Sequence, residues 1–77
     1  MNLFIYSLAQ TIFEGESSLI TLPTEDGEIS VLPHHSKLVT SLCAGKIVFK
    51  TATGKERVAV ERGIAYIDGQ NTVILAD

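Results

Sequence analysis

Apolar and polar positions alternate with period two through most of this chain, in short segments separated by turn-forming clusters. In "LFIYSLA", Leu3, Ile5 and Ser7 share one side and Phe4, Tyr6 and Leu8 the other, which predicts a strand. "SLITLP" alternates again and sets Ile20 beside Leu22. "TEDG" turns the chain into "EISVL", with Ile29 and Val31 on one face and Glu28, Ser30 and Leu32 on the other. Pro33 stops that strand, because it has no N–H to donate to a ladder. "KLVTSLCAG" would also suit a short helical turn, but its length and β-branched content favour a strand. "IVFKT" and "ERVAVE" flank "ATGK", whose Gly54 supplies the positive φ that a tight hairpin turn needs. "GIAYI" and "TVILA", joined by "DGQN", form a second hairpin. Turns this frequent indicate an all-β chain, an antiparallel sandwich or barrel. The side that alternation buries should hold Leu3, Ile5, Phe13, Ile20, Leu22, Ile29, Val31, Leu38, Leu42, Ile47, Phe49, Val60, Ile64, Val73 and Leu75.

Length and composition bound the rest. A chain of 77 residues makes one domain, residues 1–77, with no linker, repeat or low-complexity tract. The apolar fraction of 45% against 19% charged residues is a globular balance. A net charge of −3 argues against nucleic acid as a partner, since phosphate neutralisation needs clustered cations. In the sequence, Lys37, Lys46, Lys50, Lys55, Arg57 and Arg62 are dispersed among acids. The single cysteine, Cys43, has no internal disulfide partner and reads as a buried inert thiol in a reduced compartment. No signal peptide is visible, and no apolar run approaches the roughly 20 residues of a membrane-spanning helix.

The enzyme-like feature is the pair His34–His35. Neighbours on a strand point to opposite faces, so the two cannot easily chelate one ion, and no third histidine exists to complete a zinc site. Ser30 and Ser36 lie near them in sequence without a nucleophile elbow. The glycines form no phosphate loop; "ATGKE" lacks the upstream glycine and the Ser or Thr after its lysine. Glu25, Asp26 and Glu28 read as a solvated rim that keeps an edge soluble, short of the ligands a calcium loop requires. The residues alone thus point to a binding module without catalytic residues, metal or cofactor.

Several motifs then stand in one order: "F-E-G" at 13–15, "E-D-G-E-I-S-V-L-P-H-H" at 25–35, Leu38, "L-C-A-G" at 42–45, "R-G-I-A-Y-I" at 62–67 and "N-T-V-I-L-A-D" at 71–77. Across essentially the whole chain this resembles the amino-terminal domain of the epsilon subunit of F-type ATP synthases, called delta in mitochondria. The resemblance implies a β-sandwich and a non-catalytic role in the rotating central stalk, with the gamma subunit and the membrane c-ring as partners. It implies a peripheral location on the cytoplasmic, matrix or stromal side of an energy-transducing membrane. Membrane contact would come only through the complex, and the isolated chain would be a monomer. By the same resemblance Glu28 approaches the polar loops of the c-ring, and Ser7, His35 and Thr40 approach gamma. His34 stands where the family usually has glycine, and Lys37 and Ala44 replace common prolines, which implies a less rigid loop. Family members commonly continue past "LAD" into a helical hairpin, so residues 1–77 alone are expected to dock without inhibiting ATP hydrolysis or binding nucleotide tightly. The competing reading is a free-standing metal- or ligand-binding β domain with His34 and His35 at its site.

Overall fold

The computed structural model describes residues 1–77 and contains nine strands and no helix. They are β1 (Asn2–Tyr6), β2 (Thr11–Glu16), β3 (Leu19–Thr24), β4 (Gly27–Val31), β5 (Leu38–Leu42), β6 (Gly45–Thr51), β7 (Gly54–Val60), β8 (Gly63–Ile67) and β9 (Asn71–Ala76). One continuous sheet runs β2-β1-β9-β8-β5-β3-β6-β7, with β4 on the remaining edge of β3. It is curled into two layers, β2-β1-β9-β8-β5 and β4-β3-β6-β7. The seam between them is a single residue pair, Thr24 with Leu42, and the Cys43 N–H donating to the Pro23 carbonyl at 3.0 Å. The β-sandwich expected from the turn spacing is therefore present.

Every pairing is antiparallel except β1 with β9, which run parallel over Asn2–Tyr6 and Asn71–Leu75. Hairpin reasoning could not foresee that contact, because parallel neighbours are never joined by a tight turn. Alternation also singled out no strand over 11–16, where Glu14 and Glu16 interrupt the apolar signal. β2 forms there because β1 offers it a ladder from Asn2–Glu16 to Tyr6–Thr11. The "ATGK" turn forms as expected, with Gly54 at φ 136°. Gly63 serves a different need: a Cβ there would collide with the Leu75 carbonyl oxygen of β9.

Thirteen side chains form the core between the layers. Leu3, Ile5, Leu42, Ala65, Ile67, Ile74 and Ala76 come from the first layer. Ile20, Leu22, Val31, Ile47, Phe49 and Val60 come from the second. Phe13 of β2 closes the open side against Phe49, ring centroids 4.6 Å apart. Nine of the expected core residues are buried, while Phe13, Ile29 and Val73 are half-buried. Leu38, Ile64 and Leu75 are exposed, at 36%, 40% and 47%, which corrects the expectation for all three. In β8 and β9 both phases of the alternation are apolar, so pattern cannot choose between them. Packing chooses the phase carrying Ala65, Ile67, Ile74 and Ala76, together with the buried hydroxyl residue Thr72.

Candidate docking surfaces

The phase that β8 and β9 turn outward builds a surface. Along the outer face of the first layer, Phe4 pairs with Val73, Val73 with Tyr66, and Tyr66 with Val39. One step along the strands, Tyr6 pairs with Leu75 and Leu75 with Ile64. These two rows of cross-strand neighbours cover roughly 15 Å by 7 Å of sheet, from strand spacing and pleat repeat. Phe4 and Tyr6 lie nearly parallel, ring centroids 6.4 Å apart and planes 12° apart. Val39 is 64% exposed and Tyr66 43%. A sandwich with one layer facing solvent would alternate apolar inside with polar outside. This layer is apolar on both faces, the mark of an interaction surface.

The four residues expected to touch partners do not gather on that surface. Ser7 directly follows β1 and its hydroxyl is engaged in the turn there, accepting from the Ala9 and Gln10 N–H groups at 3.3 and 3.2 Å. Glu28 is exposed on β4, opposite Pro23 on the outer face of the second layer. His35 lies at the other end of β4, beyond Pro33. It is half-buried, its N–H donating to the Leu32 carbonyl at 3.2 Å and its Nδ1 lying 2.6 Å from the Ser36 carbonyl. Thr40 is half-buried opposite the fully buried Ala65, so it points toward the interior along a stretch of β5 that has no second neighbour. The strongest surface signal is the outward Ile64, Val73 and Leu75 around Tyr66, and alternation assigns the first three to the core instead. The extra apolar phase of "GIAYI" and "TVILA" was the clue.

The histidine loop has no chelating geometry. No group of three or more His, Cys, Asp or Glu side chains is placed to hold a metal ion. His34 adopts φ 69°, the one non-glycine residue with positive φ, and its N–H donates to the Gly69 carbonyl at 2.8 Å. Asp68, in the facing "DGQN" turn, accepts from the backbone N–H groups of Gln70 and Asn71 at 2.9 and 2.8 Å. Those bonds, Gln70 first, then Asn71, with a smaller contribution from the Lys37 charge, hold its carboxyl below the usual carboxylate range. Loop and turn are thus tied to each other by backbone.

Comparison with known proteins places this architecture. The family model for the ATP synthase delta/epsilon chain β-sandwich domain matches residues 1–77. The chain belongs to that family. An ATP synthase epsilon chain of Wolinella succinogenes is 40% identical over 78 residues, which cover all of this chain and 60% of that protein. The epsilon chain of Xanthomonas campestris pv. campestris (strain B100) is 38% identical over 74 residues, 95% of this chain and 53% of its own length. This sequence therefore spans a little over half the length of such curated relatives. Among solved structures, a chain of the Euglena gracilis mitochondrial ATP synthase OSCP/F1/c-ring assembly superposes with a TM-score of 0.88 at 25% identity, over 96% of this chain and 48% of that one. A chain of the Tetrahymena thermophila mitochondrial ATP synthase central stalk/c-ring matches in fold, TM-score 0.81 at 10% identity, over 97% of this chain and 61% of the other.

In this delta/epsilon sandwich the two outer faces differ in kind. The outer face of the second layer carries Lys46, Lys50, Lys55 and Arg57 on β6 and β7, with Lys50 directly opposite Lys55. These cations are dispersed in sequence, yet the hairpin gathers four of six on one face. None is salt-bridged, since the only ion pair in the molecule is Arg62–Asp77 at 3.0 Å. The acids collect toward one end, with Glu28 at the margin of that same face. The end of the sandwich that holds the β3–β4 turn, the β7–β8 turn and the last residue carries exposed Glu25, Asp26, Glu28, Glu61 and Asp77.

Proposed function

We propose that this chain acts as a non-catalytic subunit of the central stalk of an F-type ATP synthase, coupling the gamma subunit to the membrane c-ring. Family membership supports the assignment to the synthase. The observation that supports docking is the outward apolar double row of the first layer, which a free-standing sandwich has no reason to carry. Gamma is assigned to that face because lasting affinity between subunits comes from apolar area. The c-ring is assigned to the β3–β4 turn, on the second-layer side of the acidic end, where Glu28 faces basic or polar loops; an exposed pair of this sort contributes about 0–1 kcal/mol and sets register and encounter more than affinity. His35 and the open edge at Thr40 flank the gamma contact, and Ser7 borders it. The complex is membrane-associated, and this subunit would sit peripherally on the side that bears the catalytic head.

The test uses the assembled enzyme. Tyr66→Asp should abolish recovery of gamma with this chain. Glu28→Gln and His35→Ala, made separately, should weaken docking or coupling in a salt-dependent way while ATPase of the isolated catalytic head is unchanged. Full assembly of the Tyr66→Asp protein, or loss of head ATPase in either of the others, refutes the assignment.

A further inference from the structure

The turn between β1 and β2 holds Leu8 wholly in solvent, at 100% exposure, more than any other large apolar side chain here. A lone exposed leucine is ordinary. Two observations set this one apart. The turn that displays it is fastened. The Ser7 N–H donates to the Gln10 carbonyl at 2.9 Å. The Ser7 hydroxyl accepts from the Ala9 and Gln10 N–H groups and donates its own proton to the Gln10 carbonyl at 3.2 Å. Leu8 is therefore presented on ordered backbone, and little further ordering is needed on binding. The turn also adjoins the second apolar row. Tyr6, Leu8, Leu75 and Ala76 line one shallow groove, with Arg62 and Asp77 on its rim.

We propose that Leu8 is the anchor of the gamma contact, filling a leucine-sized apolar hole in the partner, and that Ser7 is a positioning residue acting through it. This rests on the assignment of gamma to the apolar face. The hole would be rimmed by polar groups that meet Arg62 and Asp77, whose side chains are 80% and 55% exposed. Ser7 has no free hydroxyl proton to offer a partner, because Gln10 already takes it. Its contribution is the turn. Leu8, in turn, is wholly exposed to solvent, so burial in the core does not account for a leucine there. Interface anchors of this kind sit beside apolar area that excludes water from them.

Purified gamma subunit is titrated against this chain and its variants. Leu8→Ala should lower affinity at least about tenfold, the loss typical of an interface hot spot, with no change in thermal midpoint. Ser7→Ala should weaken binding in the parent but add nothing in the Leu8→Ala background, and Ser7→Thr, which keeps the turn hydroxyl, should restore it. An equal loss from Ser7→Ala in both backgrounds would mean direct contact and overturn the positioning role. Parental affinity in Leu8→Ala, with binding abolished by Tyr66→Asp, would overturn the anchor and leave the face intact. Failure of the parent chain to bind gamma would overturn both.

Discussion

His34 carries the clearest local conflict in the chain. Its φ of 69° is left-handed, a region where a Cβ crowds the backbone and where histidine is tolerated better than most non-glycine types. The conformation is enforced from outside, by the His34 N–H bond to the Gly69 carbonyl. A β-branched residue fits worse still. His34→Val should destabilise by about 1–2 kcal/mol, whereas His34→Gly should be neutral or stabilising by up to about 1 kcal/mol, because relief of strain outweighs the extra freedom of glycine when unfolded. Chemical denaturation of the two variants measures the difference; a His34→Gly protein less stable than His34→Val would show that the side chain itself holds the loop. The resemblance hints at a special backbone here, because the family usually has glycine at this position. Nothing local hints that the partner of its N–H is Gly69, 35 residues later.

Strands with one apolar phase were placed correctly by pattern: β3, β4, β6 and β7 bury Ile20, Leu22, Val31, Ile47, Phe49 and Val60 as alternation requires. Strands apolar in both phases were not, and strand β2, weak in pattern, exists because a neighbour pairs with it. The β6–β7 hairpin shows the opposite limit. Its turn was legible, yet its register sets Lys50 against Lys55, two like charges directly opposed on one face. Such a pair opposes sheet formation. Lys55→Glu converts it into an attractive pair and should raise stability by roughly 0.2–1 kcal/mol, an effect that shrinks in high salt. Thermal unfolding at low and high ionic strength tests this, and a destabilised Lys55→Glu protein would mean that the repulsion is already relieved by its surroundings.

Seen whole, the molecule is one curled sheet whose inner and outer faces are both apolar in the first layer, and the two faces should respond oppositely to truncation. Ile47 is fully buried, so Ile47→Ala should cost about 2–5 kcal/mol. That is a large share of the 5–15 kcal/mol typical of native domains. Leu75 is of similar size and 47% exposed, so Leu75→Ala should cost far less in folding and appear mainly in gamma binding. Equal unfolding costs would contradict the assignment of faces. Local sequence is enough for the all-β character, the turns at "TEDG", "ATGK" and "DGQN", the limits of β8 and, through the ordered motifs from "F-E-G" to "V-I-L-A-D", the family. These depend on neighbours in the chain: period-two alternation, proline and glycine backbone limits, and turn chemistry. Tertiary packing alone sets which apolar phase of β8 and β9 faces inward, that β1 lies parallel to β9, that four scattered cations share a face, that His34 is left-handed, and that Leu8 stands free on a fastened turn. Each of those depends on which strands become neighbours, and that choice is made by closing the two layers over one core, not by any segment alone.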